Sequence, residues 1–185
     1  MAEDSLIRIP SHWLESGPLV LDVGCHRGTF LIAMAEREPA TKFLGIERLS
    51  ERVARCNARL ARKGITNALA VEGGGLDVVA SLPALSVETI HVLFPDPWPK
   101  RRHASRRLVN ALFLSECSRV LRHGGLFRFL TDDPPYAASV EILLQRDALS
   151  FSPTNEEMDF PETNFQKHFR EIGRPSHELL FRKTE

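Results

Sequence analysis

The sequence predicts an α/β protein: a mostly parallel sheet with helices on its faces. Short apolar runs alternate with segments of helical spacing along most of the chain. The first apolar run ends in a glycine turn that opens directly into a helix. Acidic residues recur at the ends of the apolar runs, the edge where ligands bind in open α/β sheets. At 185 residues the chain fits one domain, 1–185, with residues 1–17 as an N-terminal extension.

The elements follow in order. Residues 18–24, PLVLDVG, read as a buried strand closed by Gly24. Residues 29–38 have helical spacing, and Pro39 stops them. TKFLGIE gives a second strand ending at Glu47. LSERVARCNARLARKG places Leu49, Val53, Cys56 and Leu60 on one stripe, with Gly64 as its cap. NALAVEG is a third, weaker strand, and VETIHVLFPD a fourth. Residues 107–125 predict one long helix capped by Gly124 and Gly125, and LFRFLTDD a fifth strand ending at Asp132. The polar stretch 153–166 reads as a loop over one end of the sheet, within a substrate-side segment 153–170. SHELLFRK offers a last strand, most simply antiparallel on the sheet edge.

Bulk properties narrow the function. A hydrophobic share of 43% and a charged share of 26% describe an ordinary soluble domain. A formal net charge of +0 excludes a wholesale polyanion binder, so any nucleic-acid contact must be a local patch. Cys25, Cys56 and Cys117 are odd in number and widely spaced, which predicts reduced, buried thiols with neither disulfides nor a metal site. The first ten residues lack a basic region followed by an apolar stretch, and no apolar run approaches the ~18 residues of a membrane span. The expectation is a cytoplasmic protein without membrane contact, a monomer or weak homodimer.

LDVGCHRGTF is a strand, a glycine turn with Gly24 and Gly28, and a helix start. Glu47 lies about 20 residues further on, where a carboxylate accepts from ribose hydroxyls. The pattern predicts an adenosine-containing cofactor, a dinucleotide or S-adenosylmethionine. Asp22 suits the ammonium of a methionine moiety and repels phosphate, while Cys25 and His26 are bulky for a pyrophosphate loop. S-adenosylmethionine, and hence methyl transfer, is favoured. Any one strand-end acid can instead be a helix cap.

The stretch FPDPWPKRRHASRRL fixes Asp96 between two prolines, then gathers Lys100, Arg101, Arg102, His103, Arg106 and Arg107. Such a run can neutralise several phosphates, and guanidinium planes stack on bases. The bland alternative is a solvated helix start, where cations would oppose the helix dipole. Trp98 is open to either stacking or packing.

This string, with TDDPPY, TNFQ and HELLFRK downstream, resembles the bacterial tRNA (guanine-N7-)-methyltransferases from about residue 19 to 183. The resemblance implies a Rossmann-like methyltransferase fold: a mostly parallel seven-stranded sheet with an antiparallel last strand and helices on both faces. It implies S-adenosylmethionine as methyl donor and a variable-loop guanine of tRNA as acceptor. By position it implies Asp22, Gly24, Gly28, Glu47 and Gly74 as cofactor residues and Asp96 as the catalytic one. Lys100, Arg102, His103, Arg106, Arg107, Asp132, Thr163 and Gln166 would contact the substrate. The chain departs from that pattern at three places. Asp22 replaces the usual glutamate. Gly74 stands where an acid facing the adenine amino group is expected, with Glu72 or Asp77 as substitutes. Gln166 replaces the glutamate of the TNFQ stretch. The alternatives are a methyltransferase acting on another RNA or a small molecule, and a noncatalytic RNA-binding paralogue.

Overall fold

The computed structural model describes residues 9–14, 17–146 and 149–184. Residues 1–8, on which the absence of a leader was read, lie outside them. Of the 1–17 extension, one turn at Ser11–Trp13 is described, and it buries Trp13.

Seven strands form one sheet in the order β3-β2-β1-β4-β5-β7-β6. β1 (Leu19–Val23), β2 (Lys42–Glu47), β3 (Ala68–Glu72), β4 (Val87–Leu93) and β5 (Leu121–Thr131) run parallel. β7 (His177–Lys183) pairs antiparallel with β5, and β6 (Phe151–Pro153) antiparallel with β7. Side chains alternate between faces, as a strand's period of two requires. Val20 and Phe43 join α1 (Thr29–Arg37) and α2 (Ser50–Lys63) in one cluster. Leu19, Leu21, Leu44 and Ile46 join α3 (Gly75–Ser81), α4 (Ala111–Val120) and α5 (Pro134–Leu144) in the other. A sheet coated on both sides explains why the central strands read as unbroken apolar runs.

Local chemistry sets the boundaries. Gly64 ends α2 in a left-handed conformation at φ +66°, which a side chain resists. Asn110 caps α4 by accepting from the Phe113 N–H at 3.0 Å. Asp133 caps α5 through the Tyr136 N–H, with prolines in the first turn.

The long helix expected over 107–125 is corrected. Arg101–Arg106 forms a separate 3-10 turn, α4 covers only ten residues, and β5 has already begun at Leu121. Gly124 and Gly125 do not cap a helix; they form a bulge in β5. The ladder jumps from Val87 opposite Leu121 to Thr89 opposite Leu126. Gly124 adopts φ +73°, and a Cβ on Gly125 would meet the Arg122 carbonyl at 2.8 Å and the Glu88 carbonyl at 3.0 Å. Two further expectations change. The 153–166 loop ends in a helix, α6 (Asn164–Glu171), and β7 is not the edge strand because β6 covers it. Among the described residues no helix is long and apolar enough to cross a membrane.

Candidate active site

The parallel strands all present their carboxyl ends to one edge, and two adjoining cavities open there. The wider, about 690 Å³, is lined by the residues following β1, β2, β3 and β4, including Gly24, Glu47, Gly74, Asp96 and Trp98. The narrower, about 80 Å³, is lined by Asp22, Cys25, Thr29 and Thr163 among others. Gly24, His26, Leu93, Phe94 and Phe165 border both.

Asp22 sits near the end of β1 with only 4% of its surface exposed. Burial raises its pKa to about 7, against the pull of Arg128, with a further push from Glu47. Its Oδ2 is buried and has no partner among the described residues. Asp22 stands opposite His91 in the ladder, and His91 opposite Arg128. The His91 ring is packed edge-on between Phe30 and Phe160, its basicity depressed by burial and then by Arg128. Arg128 is also buried; its Nε reaches Glu178 at 2.5 Å, and its Nη1 has no hydrogen-bond partner among the described residues. An orphaned carboxylate oxygen beside an open chamber is an acceptor prepared for a cationic donor.

The two turns flanking Asp22 are bound together. Glu47 is buried at the end of β2 and accepts backbone N–H groups from His26 and Leu49, each at 3.1 Å, with Arg52 at 3.6 Å. Gly24 and Gly28 have φ +88° and +72°. A Cβ on Gly28 would stand 2.2 Å from the Cys56 sulfur, so the turn requires glycine twice over. After β3, Gly74 does line the wide cavity, and a Cβ there would press on Asp77 Oδ2 at 2.5 Å. Asp77 itself lines the cavity, while Glu72 does not, so Asp77 is the acid this edge offers.

The Pro-Asp-Pro-Trp turn is strained. Phe94 has φ +51° and Trp98 φ +43°, and with His26 at +53° all three line the wide cavity. Non-glycine residues in this region cost on the order of 1–3 kcal/mol, and such strain gathers at functional sites. Asp96 is exposed at the cavity wall. Trp98 packs beneath Arg106, whose guanidinium lies 5.0 Å above it, with His103 edge-on at 5.8 Å. Lys100, Arg102 and Arg106 face solvent, His103 is half-buried, and Arg106 also lines the cavity. The expected helix start is a 3-10 turn, so the helix-dipole reading of the basic run does not apply.

Arg107 departs from the rest of the string. Its Nε donates to the Pro97 carbonyl at 2.8 Å and its Nη1 to Ser139 at 3.3 Å. The guanidinium lies 4.6 Å over Tyr136, near Asp133 at 3.9 Å, leaving the side chain 15% exposed. Arg107 thus braces the proline turn from within, unlike its exposed neighbours Arg102 and Arg106.

Downstream, Asp132 lies outside the lining of either cavity and pairs with Arg174 at 2.7 Å. Thr163 lines the narrow cavity and also caps α6: its hydroxyl accepts the Gln166 N–H at 3.0 Å, and Gln166 Oε1 accepts the Thr163 N–H at 2.9 Å. Gln166 is thus held in a capping box and lines neither cavity. Sequence reasoning missed Phe94 and Phe165, which border both cavities. Their only mark in the sequence was proximity to the FPDPW and TNFQ strings.

Known proteins resemble this chain in sequence and in fold. A family model described as "Putative methyltransferase" matches residues 16–179. A curated tRNA (guanine-N(7)-)-methyltransferase of Rhizobium meliloti (strain 1021) is 34% identical over 172 residues, 89% of this chain and 74% of that protein. One of Francisella tularensis subsp. novicida (strain U112) is 31% identical over 98% of this chain and 82% of its own. Among solved structures, the 16S rRNA (adenine(1408)-N(1))-methyltransferase W203A mutant with cosubstrate SAM from Catenulisporales acidiphilia superposes with a TM-score of 0.67 at 17% identity. That match covers 96% of this chain and 92% of the other, and shows the shared fold.

Proposed function

The chain belongs to the family whose curated members are the tRNA (guanine-N7-)-methyltransferases, and we propose that it methylates N7 of a variable-loop guanine in tRNA in the cytoplasm, using S-adenosylmethionine. The observation that carries this reading is the pairing of an orphaned, buried Asp22 carboxylate with a wide cavity walled by Glu47, Asp77 and Asp96. The cavities suit that cofactor. Asp22 takes the ammonium of the amino-acid end in the narrow chamber. Glu47 keeps lone pairs for ribose hydroxyls after its two backbone contacts, and Asp77 faces the wide chamber near Gly74.

S-adenosylmethionine supplies an electrophilic methyl group when bound. Guanine N7 already holds an in-plane lone pair, so the protein needs no general base and contributes by placing the acceptor in line. Asp96 accepts from the guanine N1–H and N2–H groups, a charged pair of hydrogen bonds to one edge of the base. Its charge also offsets the positive charge that develops on the alkylated ring. The flanking prolines limit the motion Asp96 must lose on binding, and Arg107 holds the turn's carbonyl from behind. Arg102, Arg106 and Lys100 form the exposed cationic rim that meets the phosphate backbone.

The test is single-turnover transfer to a tRNA and to the same tRNA carrying 7-deazaguanine at the variable-loop position. Transfer to the first alone supports the reading; equal transfer to both rules out N7 as acceptor.

A further inference from the structure

Phe165 is a large apolar side chain left 51% exposed, yet it is held firmly. It lies in the first turn of α6, which the Thr163–Gln166 capping box fixes in direction. Its ring is stacked on Phe169, with centroids 6.0 Å apart and planes 23° from parallel. Phe94 leans on both rings, at 5.6 Å from Phe165 and 5.3 Å from Phe169. Arg174 covers Phe169 at 5.3 Å and ties the group to β5 through Asp132 at 2.7 Å. Leu112 and Ile142 are more exposed still, so exposure alone carries nothing; what sets Phe165 apart is that its braced ring borders the cavities.

The position of the ring says which ligand. Phe165 and Phe94 border both cavities, the one holding Asp22 and the one holding Glu47 and Asp96. A donor held by its amino-acid end at Asp22 and its nucleoside at Glu47 would place its reactive centre where those chambers join. Of the residues that border both chambers, Phe165 and Phe94 offer aromatic rings there. We infer that the Phe165 ring is the stacking platform for the target base, a purine splayed out of the RNA. This inference rests on the function proposed above and adds a division of labour to it. Stacking on a ring reads only the face that every base presents, whereas hydrogen bonding to Asp96 reads the edge that identifies guanine. Phe165 thus supplies binding and alignment, and Asp96 supplies identity. Phe94, kept at φ +51°, is the strained support that sets the height of the platform.

The experiment compares Phe165→Ala, Phe165→Leu and Phe165→Trp in single-turnover methyl transfer to tRNA, with S-adenosylmethionine affinity measured separately by calorimetry. The Ala and Leu variants should slow transfer by about ten- to a hundredfold, the loss of one base stack, while Trp retains most of the wild-type rate. Cofactor affinity should stay within about threefold in all three, which also shows that they fold. Leu transferring as fast as Trp would reduce the ring to apolar bulk and overturn the inference. Cofactor affinity falling in step with the rate would also overturn it, assigning the ring to the sulfonium cation instead. Wild-type protein that transfers nothing to tRNA would sink the proposed function itself, before any variant is compared.

Discussion

Glu47 and His26, twenty-one residues apart, are joined by a hydrogen bond from the His26 N–H to Glu47 Oε2 at 3.1 Å. This one contact fastens the turn after β1 to the turn after β2, the two walls between which an adenosine ribose would lie. Glu47→Gln keeps the shape but removes the charge and one acceptor. Calorimetry should show S-adenosylmethionine binding weakened by about ten- to a hundredfold, in line with the ~1.5–3 kcal/mol of hydrogen bonds to a charged group. Unchanged affinity would remove Glu47 from the cofactor site.

Asp22 should make the proposed cofactor site pH-dependent. Its pKa is raised from 3.8 in the unfolded chain to about 7 by burial, so the folded protein binds the extra proton. Stability from this group is therefore greatest at low pH and is lost as pH climbs from about 4 to about 7. An ammonium ligand needs the ionised form, so cofactor affinity should rise with pH up to about 7 and then level off. Asp22→Asn should flatten both profiles, make the cofactor-free protein more stable at pH 8, and weaken the cofactor at every pH. Thermal melting and binding titrations over this range check the two halves independently.

The two arginines that end the basic string should behave differently. Arg106 is exposed over Trp98, so Arg106→Ala should weaken tRNA binding and reduce the slope of log affinity against log salt by about one. Arg107 is spent on Pro97, Ser139 and Tyr136, so Arg107→Ala should lower the melting temperature while leaving the salt slope near wild type. Filter binding across a salt series, beside melting curves, separates them. A salt slope that moves with Arg107 alone would reverse the assignment.

Gln166 and Thr163 cap each other, a box that glutamate at position 166 would also complete. Gln166→Glu should leave melting unchanged within about 0.5 kcal/mol, because glutamate serves the same capping box. Thr163→Ala should cost about 1 kcal/mol and also slow methyl transfer, since it loosens the helix that carries Phe165.

Much of this was legible in the sequence, for physical reasons. Strands buried on both faces announce themselves as apolar runs, and Gly24, Gly28 and Gly64 mark turns that only glycine makes comfortably. Glu47 closes β2, Asp22 stands one residue before the end of β1 and Asp96 three beyond the end of β4; all three could be expected at the binding edge because the carboxyl ends of parallel strands lie together. The Gly124–Gly125 pair was read locally as a helix stop, whereas the ladder to β4 makes it a bulge, a distinction set by a partner far away in sequence. α6 was missed although Phe165 and Phe169 stand four apart and Thr163 and Gln166 form a capping box, because it is only eight residues long and buries none of them, so its two rings among polar neighbours read as loop. Arg107 looked like its neighbours until Tyr136 and Pro97 were brought against it by the fold. Asp77 was visible only as one of two candidates, and it is the one of the two that lines the wide cavity.

On the proposed function, Asp96 presents a tRNA guanine to a methyl donor held by Asp22 and Glu47. The most direct test is to incubate wild-type protein and Asp96→Asn with labelled S-adenosylmethionine and unmodified bulk tRNA, digest the RNA, and identify the labelled nucleoside. The wild type should yield 7-methylguanosine, and the variant at least about a hundredfold less with tRNA binding intact. A different labelled nucleoside, or 7-methylguanosine made equally well by the variant, would contradict it.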